Sequence, residues 1–103
     1  MKNYFKRSSV KPGRSEFAAC WEIMSRIDDL VPSDAKVYAI INRLADGTYH
    51  TLIPVRAADA RFSEGKFFTE AKTSSLVSSL KEAQGEMLKK LRDWKSNRFP
   101  EAV

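Results

Sequence analysis

The sequence predicts an α+β domain, a three-stranded antiparallel sheet with two helices packed on one face, in the order α-β-β-β-α. Three observations predict this class. Apolar residues recur at helical spacing near each end of the chain, β-branched and apolar runs occupy its middle, and Ala45-Asp46-Gly47 is a hairpin signal between two of those runs. Each helix carries one apolar stripe, so both helices should cover the same face of the sheet. A chain of 103 residues is long enough for one such domain.

The first helix is predicted to begin after Ser15, a favourable N-cap residue, with Glu16 well placed for the helix dipole. Pro32 should end this helix after about four turns, and Ser33-Asp34 should form the following turn. Its apolar stripe consists of Phe17, Cys20, Trp21, Met24, Ile27 and Val31.

The sheet is predicted from three segments in the middle of the chain. The strands are residues 36–44, 48–56 and 66–71, with a loop at 57–59 and a turn at 63–65. Pro54 has no N–H to donate, so its side of the second strand should be an edge, a bulge or the strand's end.

The first strand has apolar residues on both sides. Tyr38 and Ile40 alternate with Val37, Ala39 and Ile41. Because the helices cover only one face, one of these sets needs a partner, which suggests a homodimer or a bound protein unless the N-terminal residues cover it.

The second helix is predicted to start at the capping residues Thr73-Ser74-Ser75 and to run to about Trp94 or Ser96. At 100° per residue, its charges separate by sign around the helix. The basic flank holds Lys81, Lys89, Arg92 and Lys95, and the acidic flank holds Glu82, Glu86 and Asp93. Gly85, on the basic side, would let a backbone approach closely.

The net charge of +5 is concentrated at the N-terminus. Residues 1–14 contain five basic residues and no acid, so the remainder of the chain is neutral overall. These five residues are Lys2, Lys6, Arg7, Lys11 and Arg14. We therefore divide the chain into a flexible basic arm (1–14), one α+β domain (15–98) and a C-terminal tail (99–103). Tyr4 and Phe5 could pin part of the arm to the domain or stack on a partner.

The composition argues against several functional classes. One cysteine, Cys20, and one histidine, His50, exclude a Cys/His zinc cluster of ordinary spacing, and the scattered glycines form no phosphate-cradling loop. We predict no metal, no cofactor and no enzymatic activity, although a Cys20–His50 nucleophile pair could arise from the tertiary fold. The chain has no apolar run of about 20 residues and no signal core, so we expect a cytoplasmic protein without a membrane partner.

The element order and two short patterns resemble the double-stranded RNA-binding domain. Gly47-Thr48-Tyr49-His50 resembles that family's Gly-Pro-x-His turn, with Thr48 in place of the proline. Ser79-Leu80-Lys81-Glu82-Ala83, followed by Lys89-Lys90-Leu91, resembles its last helix, with Leu80 in place of a lysine. The resemblance covers about residues 15–95 and implies contacts to two minor grooves and the intervening major groove of an A-form duplex.

The favoured hypothesis is a small nucleic-acid-binding accessory module that contacts the phosphate backbone, with duplex RNA as a candidate ligand. Its expected contacts are the basic flank of the second helix, His50 and the five basic residues of the arm. The alternative is a small regulator or inhibitor that binds an acidic surface of a larger protein, of the size typical of proteins encoded by phages and mobile elements. A third hypothesis is a ribonuclease-type toxin using Tyr49, His50 and Arg56.

Overall fold

The computed structural model describes residues 3–31, 34–56 and 67–98. Its elements are α1 (Phe17–Asp28), β1 (Lys36–Val37), β2 (Ile40–Arg43), β3 (Tyr49–Arg56), β4 (Phe68–Thr73) and α2 (Leu76–Arg98). The predicted α+β class and α-β-β-β-α order are confirmed. Predictions about Lys2, Pro32, the loop at 57–59, the turn at 63–65 and the tail at 99–103 lie outside the described residues.

The central strand of the sheet is β3. It pairs antiparallel with β1 and β2 on one side and with β4 on the other. The turn before β3 follows the predicted hairpin signal, and Gly47 has φ 87, a left-handed conformation that glycine adopts without strain.

The predicted single strand over residues 36–44 is corrected to two short strands. Their register on β3 is continuous, because Val37 pairs with Val55 and Ile40 pairs with Leu52. The gap at Tyr38-Ala39 therefore lies opposite Ile53-Pro54. Val55 donates its N–H to the Phe67 carbonyl on the β4 side, so the backbone of Pro54 faces the gap. The missing N–H of Pro54 explains this interruption of pairing, which stands where an edge, a bulge or the strand's end was expected.

Successive residues of β3 face opposite sides of the sheet. Thr51, Ile53 and Val55 are buried beneath the helices, and the Thr51 hydroxyl lies 2.7 Å from the Ser79 hydroxyl of α2. The intervening residues face away from the helices. We call this side the open sheet face and define it by Tyr38, Ile40, Leu52, Pro54 and Phe68.

The first helix is shorter than predicted. It begins at Phe17 with Glu16 as its N-cap, so Ser15 does not cap it, and it ends at Asp28. Leu30 then donates to the Ile27 carbonyl at 3.0 Å, a tight turn that takes the chain off the helix before Val31. Its buried residues are Cys20, Met24 and Ile27.

The second helix confirms the predicted cap and apolar stripe. The Ser75 hydroxyl accepts the Ser78 N–H at 3.1 Å. The buried apolar residues of the stripe are Leu76, Leu80, Ala83, Met87 and Leu91. Gln84 donates to the Ile23 carbonyl at 3.0 Å, which ties α2 to α1.

The N-terminal residues 3–10, which we call the strap, pack onto the domain. This corrects the expectation of a flexible arm over residues 1–14, because Tyr4 and Phe5 are only 3% and 2% exposed. The Tyr4 carbonyl accepts the Ala39 N–H at 2.8 Å, and the Ser8 hydroxyl accepts the Ile41 N–H at 2.7 Å. The strap therefore supplies hydrogen-bond partners for the edge of β1 and β2 that faces away from β3. The core accordingly includes residues that precede Ser15.

Candidate nucleic-acid interface

One residue of the basic flank of α2, Lys81, borders the groove between the two helices. Lys81 lines this groove together with Arg26 and Glu22 of α1 and the apolar side chains of Ile23 and Val77. The basic side chains Lys81, Lys89, Arg92 and Lys95 are all exposed. The fold thus brings Lys81 of α2 into the same groove as Arg26 of α1.

The acidic flank of α2 borders a different groove. Glu82 and Glu86 face β4 across a groove that Phe68 and Glu70 also line. Lys90 is the one cation there among the described lining residues. Its ammonium donates to the Phe68 carbonyl at 3.2 Å. The two flanks of one helix therefore present opposite charges to two separate grooves.

The cations of the basic flank are available to a ligand. Within residues 3–31, 34–56 and 67–98, Lys81, Lys89, Arg92 and Lys95 take part in no ion pair. Arg26 pairs with Glu22 at 3.1 Å, but both side chains are about two-thirds exposed, so the pair stabilises the fold very little. A phosphate could replace Glu22 at small cost.

His50 lies on the opposite side of the sheet from this flank. Its Nε2 is 2.9 Å from a Glu70 carboxylate oxygen, on the side facing away from the helices. Thr51, next in sequence, bonds to α2, so the alternation of the strand separates His50 from Lys81. The structure does not bring these two predicted contacts together.

The same alternation separates the groups considered for catalysis. Cys20 is fully buried in the helix layer, and burial, with a smaller effect of Glu16, raises the pKa of its thiol to about 11. His50 is on the other side of the sheet, so the two do not form a nucleophile–base pair. Tyr49 faces the helix side with Arg43 at 5.9 Å from its ring, away from His50 and Arg56.

The basic residues expected in the arm lie along and after the strap. Lys6, Arg7, Lys11 and Arg14 are exposed. The Arg7 guanidinium lies 4.8 Å from the centre of the Tyr38 ring and donates to its hydroxyl at 3.3 Å. Tyr38 belongs to the open sheet face, so Arg7 is on a different surface from the basic flank of α2.

The polar groups of the turn that resembles the RNA-binding motif are hydrogen-bonded to one another. An Asp46 carboxylate oxygen accepts the Thr48 N–H at 3.0 Å and the Thr48 hydroxyl at 2.5 Å. These bonds, together with Lys72 at 3.4 Å, lower the pKa of Asp46 to about 2. Thr48, which stands where the family has proline, thus holds the turn by side-chain bonds.

The position of Lys81 differs from the position that the resemblance implies. Because α2 begins at Leu76, Lys81 is about a turn and a half inside the helix and faces the α1 groove. The first turn contains Leu76, Val77 and Ser78 and no basic residue.

Comparison with known proteins gives no family model that matches the chain and no match among curated proteins. The element order is compatible with a fold like that of the double-stranded RNA-binding domain. Across the described ranges, no helix has the length and apolar character to cross a membrane. The same part of the chain contains no group of three or more His, Cys, Asp or Glu residues placed to hold a metal.

Sequence reasoning missed one set of neighbours. Phe68 is 49% exposed, and the Lys90 ammonium lies 5.8 Å from the centre of its ring. The two-sided apolar pattern of the first strand did signal an open sheet face. The pairing of its aromatic rings with cations from the strap and from α2 depends on tertiary contacts that no local pattern contains.

Proposed function

We propose that this protein is a small nucleic-acid-binding module that contacts the phosphate backbone through the basic flank of α2. The observation that carries the proposal is the separation of charge between the two grooves of that helix. Lys81 and Arg26 outnumber Glu22 in one groove, whereas Glu70, Glu82 and Glu86 outnumber Lys90 in the other. A surface that only solubilised the helix would mix the two signs.

The chemistry of this flank suits a phosphate backbone better than base edges. Lysine side chains are long and flexible point charges, and they bind phosphate without fixed geometry. Arg92 adds a planar donor group that can bind two phosphate oxygens at once. Such contacts position a nucleic acid without reading its sequence. We therefore expect binding that depends on charge and shape.

The test is a gel shift with duplex RNA, duplex DNA and single strands at near-physiological salt. The double variant Lys81→Glu/Arg92→Glu should lose duplex binding, because it reverses two charges on the flank. Lys6→Glu/Lys11→Glu is the matched control, since it changes net charge equally at two exposed N-terminal positions. We choose point substitutions and not a deletion of residues 1–14, because the deletion would also remove the buried side chains of Tyr4 and Phe5.

The salt dependence gives a second readout. The slope of log K against log salt is negative for a duplex. If Lys81 and Arg92 each neutralise one phosphate, replacing both with alanine should reduce the steepness of this slope by about 2. Loss of binding in the control alone would assign the contact to the N-terminal residues. Unchanged binding in both double variants would contradict the electrostatic proposal.

A second candidate function is regulation of a larger protein, and the edge of β4 favours it. Among the described residues β4 pairs only with β3. The register places the backbone groups of Phe68, Glu70 and Lys72 on the outer edge. A partner strand could pair there. Replacing Glu70 with proline should weaken such a partner and leave nucleic-acid binding by α2 unchanged.

A further inference from the structure

The open sheet face is apolar at its centre and aromatic at two sides. The register places Tyr38, Pro54 and Phe68 in one row across the sheet, and Ile40 and Leu52 in the next. None of these five side chains belongs to the apolar cluster beneath the helices. Tyr38 and Phe68 are two strands apart, so their backbones are about 10 Å apart.

Each of the two rings carries a cation. The Arg7 guanidinium lies 4.8 Å from the Tyr38 ring centre, and the Lys90 ammonium lies 5.8 Å from the Phe68 ring centre. Arg7 comes from the strap and Lys90 from α2, so two distant segments bring positive charge to opposite ends of one row. Lys36 and Arg56, both exposed, occupy the row beside Tyr38 and Pro54 and add positive charge there. The groove beside Phe68 also holds Glu82, Glu86 and Glu70, the last paired with His50 at 2.9 Å, so the positive charge of the face is greatest on its Tyr38 side.

We propose that the open sheet face binds single-stranded nucleic acid, with bases stacked on Tyr38 and Phe68 and phosphates paired with Arg7 and Arg56. A base is flat and apolar on its faces, and each nucleotide carries a phosphate anion, so the ligand matches both parts of this surface. Stacking platforms flanked by cations are the usual means of binding single strands without sequence preference. A duplex keeps its bases inside the stack and cannot use the rings in this way.

Charge favours this ligand over a second copy of the chain. The excess of positive charge on the Tyr38 side attracts phosphate groups and opposes the close approach of a second copy. The inference concerns a surface on the other side of the sheet from the basic flank of α2, so it does not depend on the proposal made for that flank.

The test measures fluorescence anisotropy of labelled 12-nucleotide oligo(dT) and oligo(U), and of a 12-base-pair duplex, with the full chain. Tyr38→Leu/Phe68→Leu removes both stacking rings and retains apolar side chains. It should weaken single-strand binding by a factor on the order of 10 or more and leave duplex binding unchanged. Phe17→Leu is the matched control, because within residues 3–31, 34–56 and 67–98 Phe17 is the other large apolar side chain that is exposed, at 38%.

The basic-flank variant Lys81→Glu/Arg92→Glu separates this inference from the function proposed above. It should lose the duplex and keep stacking-dependent binding of oligo(U). Conversely, a chain that binds no duplex and still binds oligo(U) through the two rings would support this inference alone.

Photocrosslinking of the wild-type chain to oligo(U) provides a readout that needs no variant. Crosslinks should map to the peptides that contain Tyr38 or Phe68. Wild-type affinity in the double leucine variant, or crosslinks confined to other peptides, would overturn the inference. A dimer in sedimentation that Phe68→Glu dissociates would assign the face to a second copy and would also overturn it.

Discussion

The two faces of the sheet differ in what covers them, although one strand supplies both. Thr51, Ile53 and Val55 of β3 are buried under the helices, whereas Leu52 and Pro54 between them face the other way and are half-buried. Both sets are largely apolar. Apolar character along this strand therefore does not identify the core. The helices determine which set becomes core, and the other set is left as a surface on which a ligand can act.

The covered face also contains polar groups, and each is bonded. The Thr51 and Ser79 hydroxyls bond to each other, and the Thr69 hydroxyl donates to the Ala83 carbonyl at 2.8 Å. Over the residues that the structure describes, no buried side-chain nitrogen or oxygen lacks a partner. Burial of an unbonded polar group costs about 1–3 kcal/mol, so these bonds are part of what allows the helices to dock.

The largest expected effect tests whether the strap belongs to the covered side. Phe5 is 2% exposed, and its ring lies 6.3 Å from the Phe17 ring of α1. Phe5→Ala should lower the free energy of unfolding by about 3–5 kcal/mol, measured by urea denaturation. Lys6→Ala, at an exposed neighbouring position, should change it by less than about 0.5 kcal/mol. Equal stability of both variants and the wild type would restore the interpretation of residues 1–14 as a free arm.

The next effect compares neighbouring residues on the two faces. Ile53 is fully buried beneath the helices, and Ile53→Ala should cost about 2–5 kcal/mol. Leu52→Ala, on the open sheet face, should cost less than half as much, because its side chain is already partly exposed to water. Chemical denaturation of the two variants measures the difference. Similar costs would mean that something also covers the open sheet face in the isolated protein.

A smaller effect compares polar pairs on the two faces. Thr51→Val keeps the shape of the side chain and removes the bond to Ser79, so it should cost about 1–2 kcal/mol. Glu70→Gln weakens the His50–Glu70 pair on the other face and should cost less than about 1 kcal/mol, because that pair is exposed to solvent. Thermal denaturation of the two variants is sufficient to rank them, and the reverse order would contradict the assignment of faces.

Local sequence patterns predicted the elements because their causes are local. The stripe from Leu76 to Leu91, the cap at Ser75 and the turn at Gly47 each depend on residues close in the sequence. The missing N–H of Pro54 predicted an edge, a bulge or a strand end on one side of β3, and the structure has a break between the two neighbouring strands there. Those features follow from periodicity, capping and a missing N–H, which a single sequence contains.

The strap and the candidate surfaces could be predicted only in part, because they depend on contacts between distant residues. The charge of residues 1–14 indicated a free arm, but Tyr4 and Phe5 find a core site formed by α1 and the first strand pair. The helical wheel separated Lys81 from Glu82, but it could not show which groove each would border. Neighbouring residues of a strand face opposite sides of the sheet, so the burial of Thr51 beneath the helices places His50 on the open sheet face.

The smallest expected effect concerns one hydroxyl of the strap and its dependence on pH. The Tyr4 hydroxyl donates to a carboxylate oxygen of Asp28 at 2.9 Å, and its ring lies 5.9 Å from the Trp21 ring. Burial, followed by the bond to Asp28 and the negative charges of Asp28 and Asp29, raises the pKa of Tyr4 to about 12. The folded state thus favours the protonated phenol more strongly than the unfolded state does, whose pKa is near 10.

Tyr4→Phe should therefore be less stable than the wild type by about 1 kcal/mol at pH 7, where the phenol is protonated in both states and only the hydrogen bond is lost. The stabilisation by the Tyr4 hydroxyl is fully present below pH 10 and is lost as the pH rises through 12, because the unfolded chain ionises first. The difference between the two proteins should shrink as the pH rises from 9 to 11, measured by urea denaturation at each pH. A constant difference would mean that the hydroxyl is solvated and that the strap does not hold it against α1.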